Sequence, residues 1–288
     1  MRASHLLLLV LVAAIWGFNF VVAKAGLDEM PPLFLMALRF SVVALLLIWF
    51  VPPPRGRWRG VLLLSVTLGS LHFGLMFAGL TGVDASVASI AIQLQVPFAA
   101  ILAAVFFNDR LGWRRVLGMV LAFAGVVLIA GEPREGASPL HLALVIAASF
   151  VWAAGNVQVK ALDGLDARTL NAWISLFSAP QLLLLSLLLE HGQLEAAAAA
   201  TWRGWGAIAY MAVLVTMGAY GIWYAMIDRY PTNQTMPFTL LVPVFGVLSG
   251  VLVLDEPFTA TMAAGGVLTL LGVGVIVLRR PKLAQPEV

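Results

Sequence analysis

Gln93–Leu111 reads QLQVPFAAILAAVFFNDRL, an apolar run that holds one proline and closes on an acidic turn. The chain says it twice, for Thr239–Pro257 reads TLLVPVFGVLSGVLVLDEP. Pro97 stands 12 residues before Asp109, and Pro243 stands 12 before Asp255. Upstream the same offset of 146 sets ASVAS (85–89) over PTNQT (231–235). Downstream, Gly118 and Gly125 are 7 apart, as are Gly265 and Gly272, after one inserted residue. A helix design used twice divides the chain into two repeats, 1–133 and 134–288.

Composition says where such a chain can fold. It is 61% hydrophobic and 11% charged, with a mean hydropathy of +0.98. A water-soluble domain needs far more polar surface than that, so the expected solvent is a lipid bilayer. With no cysteine, disulfides, thiolate nucleophiles and cysteine-bound metals are excluded. The net charge of +3 comes from basic residues in short loops, where it reports topology and gives no reason to expect nucleic acid. The opening MRASHLLLLVLVAAIWGF has the look of a signal peptide, but the apolar run continues to Ala25. That length reads as an uncleaved first span.

A span needs about 20 mostly apolar residues. Ten stretches qualify: 5–25, 32–51, 60–79, 86–107, 114–131, 140–161, 168–189, 204–227, 233–254 and 262–279. The longest connection, Glu190–Arg203, carries an alanine run that reads as a short surface helix. An even number of spans puts both termini on one side. With that side inside, 13 of the 17 lysines and arginines fall in inner loops and tails. Three (Lys24, Arg134 and Arg203) fall outside, and Arg39 lies within a span. By the positive-inside rule the termini are expected in the cytoplasm. Five spans per repeat is odd, so the second repeat enters the membrane inverted. That arrangement is a typical device of secondary transporters and places a site near mid-depth between the halves. The first helices echo as well, WGFNFVVAK (16–24) against WAAGNVQVK (152–160), with Asn19 and Asn156 in different register.

These features converge on a family. Trp16, Asn19 and Lys24 lead to Arg39-Phe40 in the second span. A fourth span opening on small residues and Ser leads to its proline and acidic turn, and a glycine-spaced fifth follows. The chain resembles the EamA-type branch of the drug/metabolite transporter superfamily, and within it the bacterial aromatic-amino-acid exporters of the YddG type. The resemblance implies ten helices, cytoplasmic termini, an inner-membrane location and a central cavity between the halves. It departs at Arg110, which stands where the second half keeps Glu256, and at Ala172-Trp173, which offers no counterpart to Arg39.

The candidates follow from what is costly in lipid. Pro97 and Pro243 each remove a backbone hydrogen bond, so the fourth and ninth helices should bend there and serve as hinges. All 14 carboxylates fall in loops, tails or helix ends, which leaves His72 and Arg39 as the titratable groups inside spans. His72 could carry a proton, bond a substrate or sit neutral against a helix backbone. Arg39, about 10 Å from the outer end of its helix, could anchor a substrate carboxylate, pair with an outer-loop acid or snorkel outward. Of the amides, Gln93 and Asn156 are favoured for the cavity because their helices carry the repeat motifs. Phe73 and Phe77 share a side of the third span with His72, and Tyr220, Trp223 and Tyr224 share a side of the eighth. With Trp16, Asn19 and Trp152 they would line a cavity of rings and amides suited to an aromatic or apolar zwitterion. Trp49, Trp58, Trp113, Trp202 and Trp205 lie near span ends, as an interfacial belt requires. The glycines of the fifth and tenth spans fit a scaffold within one chain or a dimer face equally well.

Motifs for chemistry are absent: no phosphate-binding loop, no metal-spaced histidines and no catalytic carboxylate pair. No cofactor or metal is expected, and the chain does not read as an enzyme. A membrane lipid enzyme would show clustered acids or histidines in a membrane-facing loop. The expected partners are a small-molecule substrate and the bilayer. A carrier of other metabolites or drugs is the alternative.

Overall fold

Lipid offers no hydrogen bonds to a peptide backbone, so each apolar stretch must satisfy its own, and helices do so. The computed structural model describes residues 1–107, 111–132, 138–162 and 165–278. Its ten long apolar helices are α1 (Ala3–Leu27), α2 (Pro32–Phe50), α3 (Trp58–Leu80), α4 (Ala85–Phe106) and α5 (Trp113–Ala130) in the first half. Then come α6 (Pro139–Val159), α7 (Ala167–Leu189), α8 (Trp202–Arg229), α9 (Met236–Leu254) and α10 (Ala260–Val277). No strand occurs among the described residues. A short surface helix, Gln193–Ala199, forms from the expected alanine run. Helix starts carry the signals that fix them. Pro32 and Pro139 open α2 and α6, where a missing N–H costs nothing. Asp166 and Thr259 cap α7 and α10 through the N–H groups of Thr169 and Met262. The acidic turn at Asp109, the substituted Arg110 and the boundary expected between 133 and 134 lie outside the described residues.

The helices pack in pairs that respect the repeat. α5 lies along α10, α2 along α7, and the first half of α4 along the second half of α9. α1 packs on α8 and α9, while α6 packs on α3 and α4; α3 meets α7 where α8 meets α2. Exchanging every helix for its counterpart five places on turns this set of contacts into itself, as a pseudo-two-fold relation between inverted halves requires. The chain is therefore an all-α, multi-pass membrane protein of two inverted five-helix repeats. Its outer surface is apolar, with Leu7, Leu45 and Leu188 exposed, and Trp49, Trp113 and Trp202 stand out near the helix ends at both faces.

The glycine stripe is spent inside the monomer. A Cβ on Gly118 would stand 2.7 Å from the Gly272 carbonyl oxygen, and one on Gly125 would meet the Gly265 carbonyl and the Thr269 amide. α5 and α10 thus approach at backbone distance, and the dimer-face use of these glycines is not the one the fold makes.

One feature had no sequence signal. α3 and α8 each widen into a stretch of π-helix, Ser65–His72 and Tyr210–Ala219, at corresponding places in the two halves. Such turns are rare, and polar side chains support both of these. Ser178 Oγ donates to the Ser65 carbonyl at 3.0 Å, Gln181 Nε2 to Ser65 Oγ at 2.9 Å, and Thr216 Oγ1 to the Met211 carbonyl at 2.9 Å. Phe73 and Tyr220 are the first residues after the wide turns, which therefore set where these rings point.

Candidate functional site

α4 and α9 cross where the repeat says they should. Gln93 Nε2 reaches the Thr239 carbonyl at 3.5 Å, and these two residues occupy the same place in the two halves. Each helix tightens into a 3-10 turn beside the crossing, Ile92–Leu94 in α4 and Met236–Leu240 in α9. The turns sit just ahead of Pro97 and Pro243, whose rings exclude the normal bond to residues 93 and 239. Both prolines are buried. On one side of the crossing the helices are tightly joined, and a Cβ on Gly246 would meet the side chain of Ser89. On the other, α4 beyond Gln95 leans on α6, while the start of α9 leans on α1 and α10. The joined side is the face opposite Met1, called here the far face; the helices part toward the near face.

Carboxylates tie the two halves together at the far face. Glu29, at the end of α1, accepts from the Thr201 N–H (2.8 Å), the Thr201 hydroxyl (2.5 Å) and the Gly204 N–H (3.0 Å) at the start of α8. Glu190, after α7, accepts from the N–H groups of Leu33 and Phe34 at 2.8 and 3.1 Å. Glu256, after α9, accepts from Ala85 and Ser86 at 2.6 and 2.9 Å. Each caps a helix N-terminus supplied by the other half, where unpaired N–H groups and the helix dipole favour a negative charge. Glu256 is the buried one. Asp255, with φ of 54°, turns the chain back so that Glu256 faces α4, and Gly250 leaves room for its carboxylate. Near-face Asp166, by contrast, caps its own helix.

The Thr201 hydroxyl, helped by two backbone N–H groups and Arg203, holds the Glu29 carboxyl below its ordinary value of 4.5 against the opposing effect of desolvation. A depressed pKa means the contact is at full strength above that ordinary value and is lost as pH falls through the lower, folded one. Emission from Trp202 and Trp205, beside this cap, is expected to stay constant from neutral pH down to 4.5 and change only below it. Glu29→Gln should remove the transition. A midpoint at or above 4.5 would contradict the assignment.

Below the far face the rings gather. Trp16 lies 5.0 Å from Tyr220 and 5.4 Å from Trp223 between centroids, and Tyr220 stacks on Tyr224 at 5.9 Å. Phe73 packs edge-on against Phe40 and tilted against Phe77, while His72 meets Trp152 at 4.8 Å. Arg39 is 2% exposed. Its guanidinium lies 4.6 Å from the Phe73 ring, an attractive cation–π arrangement, and Nη2 donates to Thr216 Oγ1 at 3.2 Å.

The expected residues thus divide. Trp16, Asn19, Arg39, His72, Phe73, Phe77, Trp152, Tyr220, Trp223 and Tyr224 belong to neighbouring faces of α1, α2, α3, α6 and α8. Gln93 is spent on the α4–α9 bridge, and Asn156 is exposed on α6. Of the three alternatives for Arg39, the fold gives neither a snorkelling side chain nor an ion pair with a described outer-loop acid. His72 Nδ1 donates to the Ala148 carbonyl at 2.9 Å, the backbone-bonded arrangement. Missed in the sequence were Thr216 as the partner of Arg39 and the cross-half role of Glu29, Glu190 and Glu256.

The architecture is not new. A crystal structure covering 96% of this chain and 98% of its own superposes with a TM-score of 0.67 at 19% identity, which shows the fold alone. A protein of Escherichia coli (strain K12), named "Probable amino-acid metabolite efflux pump", is 34% identical over 274 residues, covering 92% of both chains. Its namesake in Salmonella typhimurium is 35% identical over 277 residues, again 92% of each. The EamA-like transporter family matches residues 3–131 and again 140–278, once for each half. Inverted repeats, family match and full-length relatives agree: this chain belongs to the EamA-like transporter family.

Proposed function

We propose that the chain exports amino acids with aromatic or other hydrophobic side chains across a bacterial inner membrane. Both termini lie in the cytoplasm, as the 13-to-3 division of basic residues favours. The observation that carries the substrate class is the ring group formed by Trp16, Tyr220 and Trp223, in which Trp16 Nε1 is buried with no partner. The names of the two enterobacterial relatives point the same way. Transport proceeds by alternating access. The far half of α4 and α9 opens as the near half closes, each helix bending about Pro97 or Pro243, with the substrate held between the halves. With α4 and α9 joined at the far face and apart toward the near face, substrate loads from the cytoplasmic side.

Purified protein in proteoliposomes is expected to move labelled tryptophan and phenylalanine saturably, and threonine and a sugar phosphate poorly. Trp16→Ala should weaken tryptophan transport about fivefold, since a ring pair contributes about 1 kcal/mol beyond area burial. Flux of other metabolites without aromatic flux would replace the substrate class with the broader metabolite reading.

A further inference from the structure

Six side-chain polar atoms are buried without a partner among the described residues, and three of them, Trp16 Nε1, Asn19 Oδ1 and Arg39 Nε, belong to α1 and α2 within their spans. Ser86 Oγ, His141 Nδ1 and Gln158 Oε1 lie apart near helix ends. Trp16 and Arg39 both pack on α8, and Asn19 lies three residues from Trp16 on α1. Trp16 and Asn19 thus share a face of α1. Trp16 lies against Tyr220. Arg39 donates to Thr216, one helical turn before Tyr220 on the same side of α8. Two free donors and one free acceptor thus lie within the membrane-spanning parts of α1 and α2, Trp16 against the Tyr220 ring and Arg39 against the Phe73 ring. Leaving such atoms unpaired is costly. A buried guanidinium with no carboxylate partner is costlier still, and the Phe73 ring and Thr216 hydroxyl compensate it only in part.

We infer that Asn19 and Arg39 read the two charged ends of an amino acid: Asn19 Oδ1 accepts from the α-ammonium, and Arg39 Nε–H donates to the α-carboxylate. This rests on the amino-acid reading above and deepens it. The chemistry fits the atoms, since an ammonium offers only donors and a carboxylate only acceptors. It also explains how a cavity with no described carboxylate can select a zwitterion over an apolar ring. The rings bind the side chain, and the two polar groups require both charges on the backbone carbon. The second half keeps no arginine opposite Arg39, having Ala172-Trp173 there, so the reading is one-sided and fixes one orientation of the substrate.

A crossed set of ligands tests it on the full chain. Binding of labelled tryptophan is competed by tryptophan, by tryptamine, which lacks the carboxylate, and by indole-3-propionate, which lacks the ammonium. In the wild type tryptophan should compete best, about tenfold or more ahead of either analogue, as loss of one charge-assisted contact implies. Arg39→Gln should bring tryptophan down to the level of tryptamine and leave tryptamine unchanged. Asn19→Ala should bring it down to indole-3-propionate and leave that compound unchanged. Arg39→Lys keeps the charge and should recover part of the tryptophan affinity. If either variant weakens all three ligands alike, or spares tryptophan, the inference fails while the amino-acid reading stands. If the wild type binds neither tryptophan nor any other amino acid, the reading itself fails and this inference with it.

Discussion

Leucine in place of Gly125 or Gly272 is expected to leave no folded protein to purify. A single added methyl at Gly272 already stands 2.5 Å from the Ala122 amide nitrogen and runs into the Gly118 carbonyl, both backbone atoms that cannot swing aside. Overpacking by a methylene or so costs about 1–3 kcal/mol when side chains can adjust. Four carbons against backbone on a facing helix require α5 and α10 to part, and total stabilities are only about 5–15 kcal/mol. Alanine at the same positions should give folded protein with a clearly lowered melting temperature. At Gly206 and Gly221 a Cβ would meet nothing within 4 Å, so leucine there should be tolerated. Size-exclusion profiles and thermal melts in detergent separate the cases. If Gly272→Leu were monodisperse with an unchanged melt, the backbone contact between α5 and α10 would be refuted.

The same glycines show what a sequence discloses and what it withholds. Ten spans and their inversion are legible because lipid imposes a length and a composition on each helix, and the second copy confirms the first. A spacing of seven says that one face of a helix is small but not what lies against it, so scaffold and dimer face look alike. The rings on α8 are legible for a similar reason, because 220, 223 and 224 must share a side of any helix. Arg39 is legible as an expensive residue, but its partner Thr216 comes from the other half and is placed by a π-helical turn that no residue type announces. Asn156 shows the limit of repeat logic. Its echo of Asn19 is out of register, and the fold leaves it exposed on α6. The carboxylates look like plain loop residues in the sequence because the N–H groups they cap lie more than 150 residues away in the chain.

Of those carboxylates Glu256 should matter most for movement, because it alone joins the two helices proposed to bend. Opening the far face must pull Ala85 and Ser86 away from it, breaking two charge-assisted hydrogen bonds. Such bonds contribute about 1.5–3 kcal/mol each. Glutamine keeps the size, but its NH2 end cannot accept an N–H, so at least one bond is lost along with the negative charge at the α4 N-terminus. A loss of about 2 kcal/mol from the closed state alone shifts the closed-to-open ratio roughly thirtyfold. The chain has no cysteine, so Ser89→Cys supplies a single thiol, placed opposite Gly246 in the closed α4–α9 contact. In an otherwise wild-type chain this thiol should react slowly with a membrane-impermeant reagent added on the far side. With Glu256→Gln it should react roughly thirtyfold faster, and near-face accessibility should fall in parallel, because one rocking motion governs both ends. Export should slow as well, since a carrier that lingers open on one side returns less often to load. Equal labelling rates in two well-folded variants would show that the cap is only structural and that the far face is held by packing between α4 and α9.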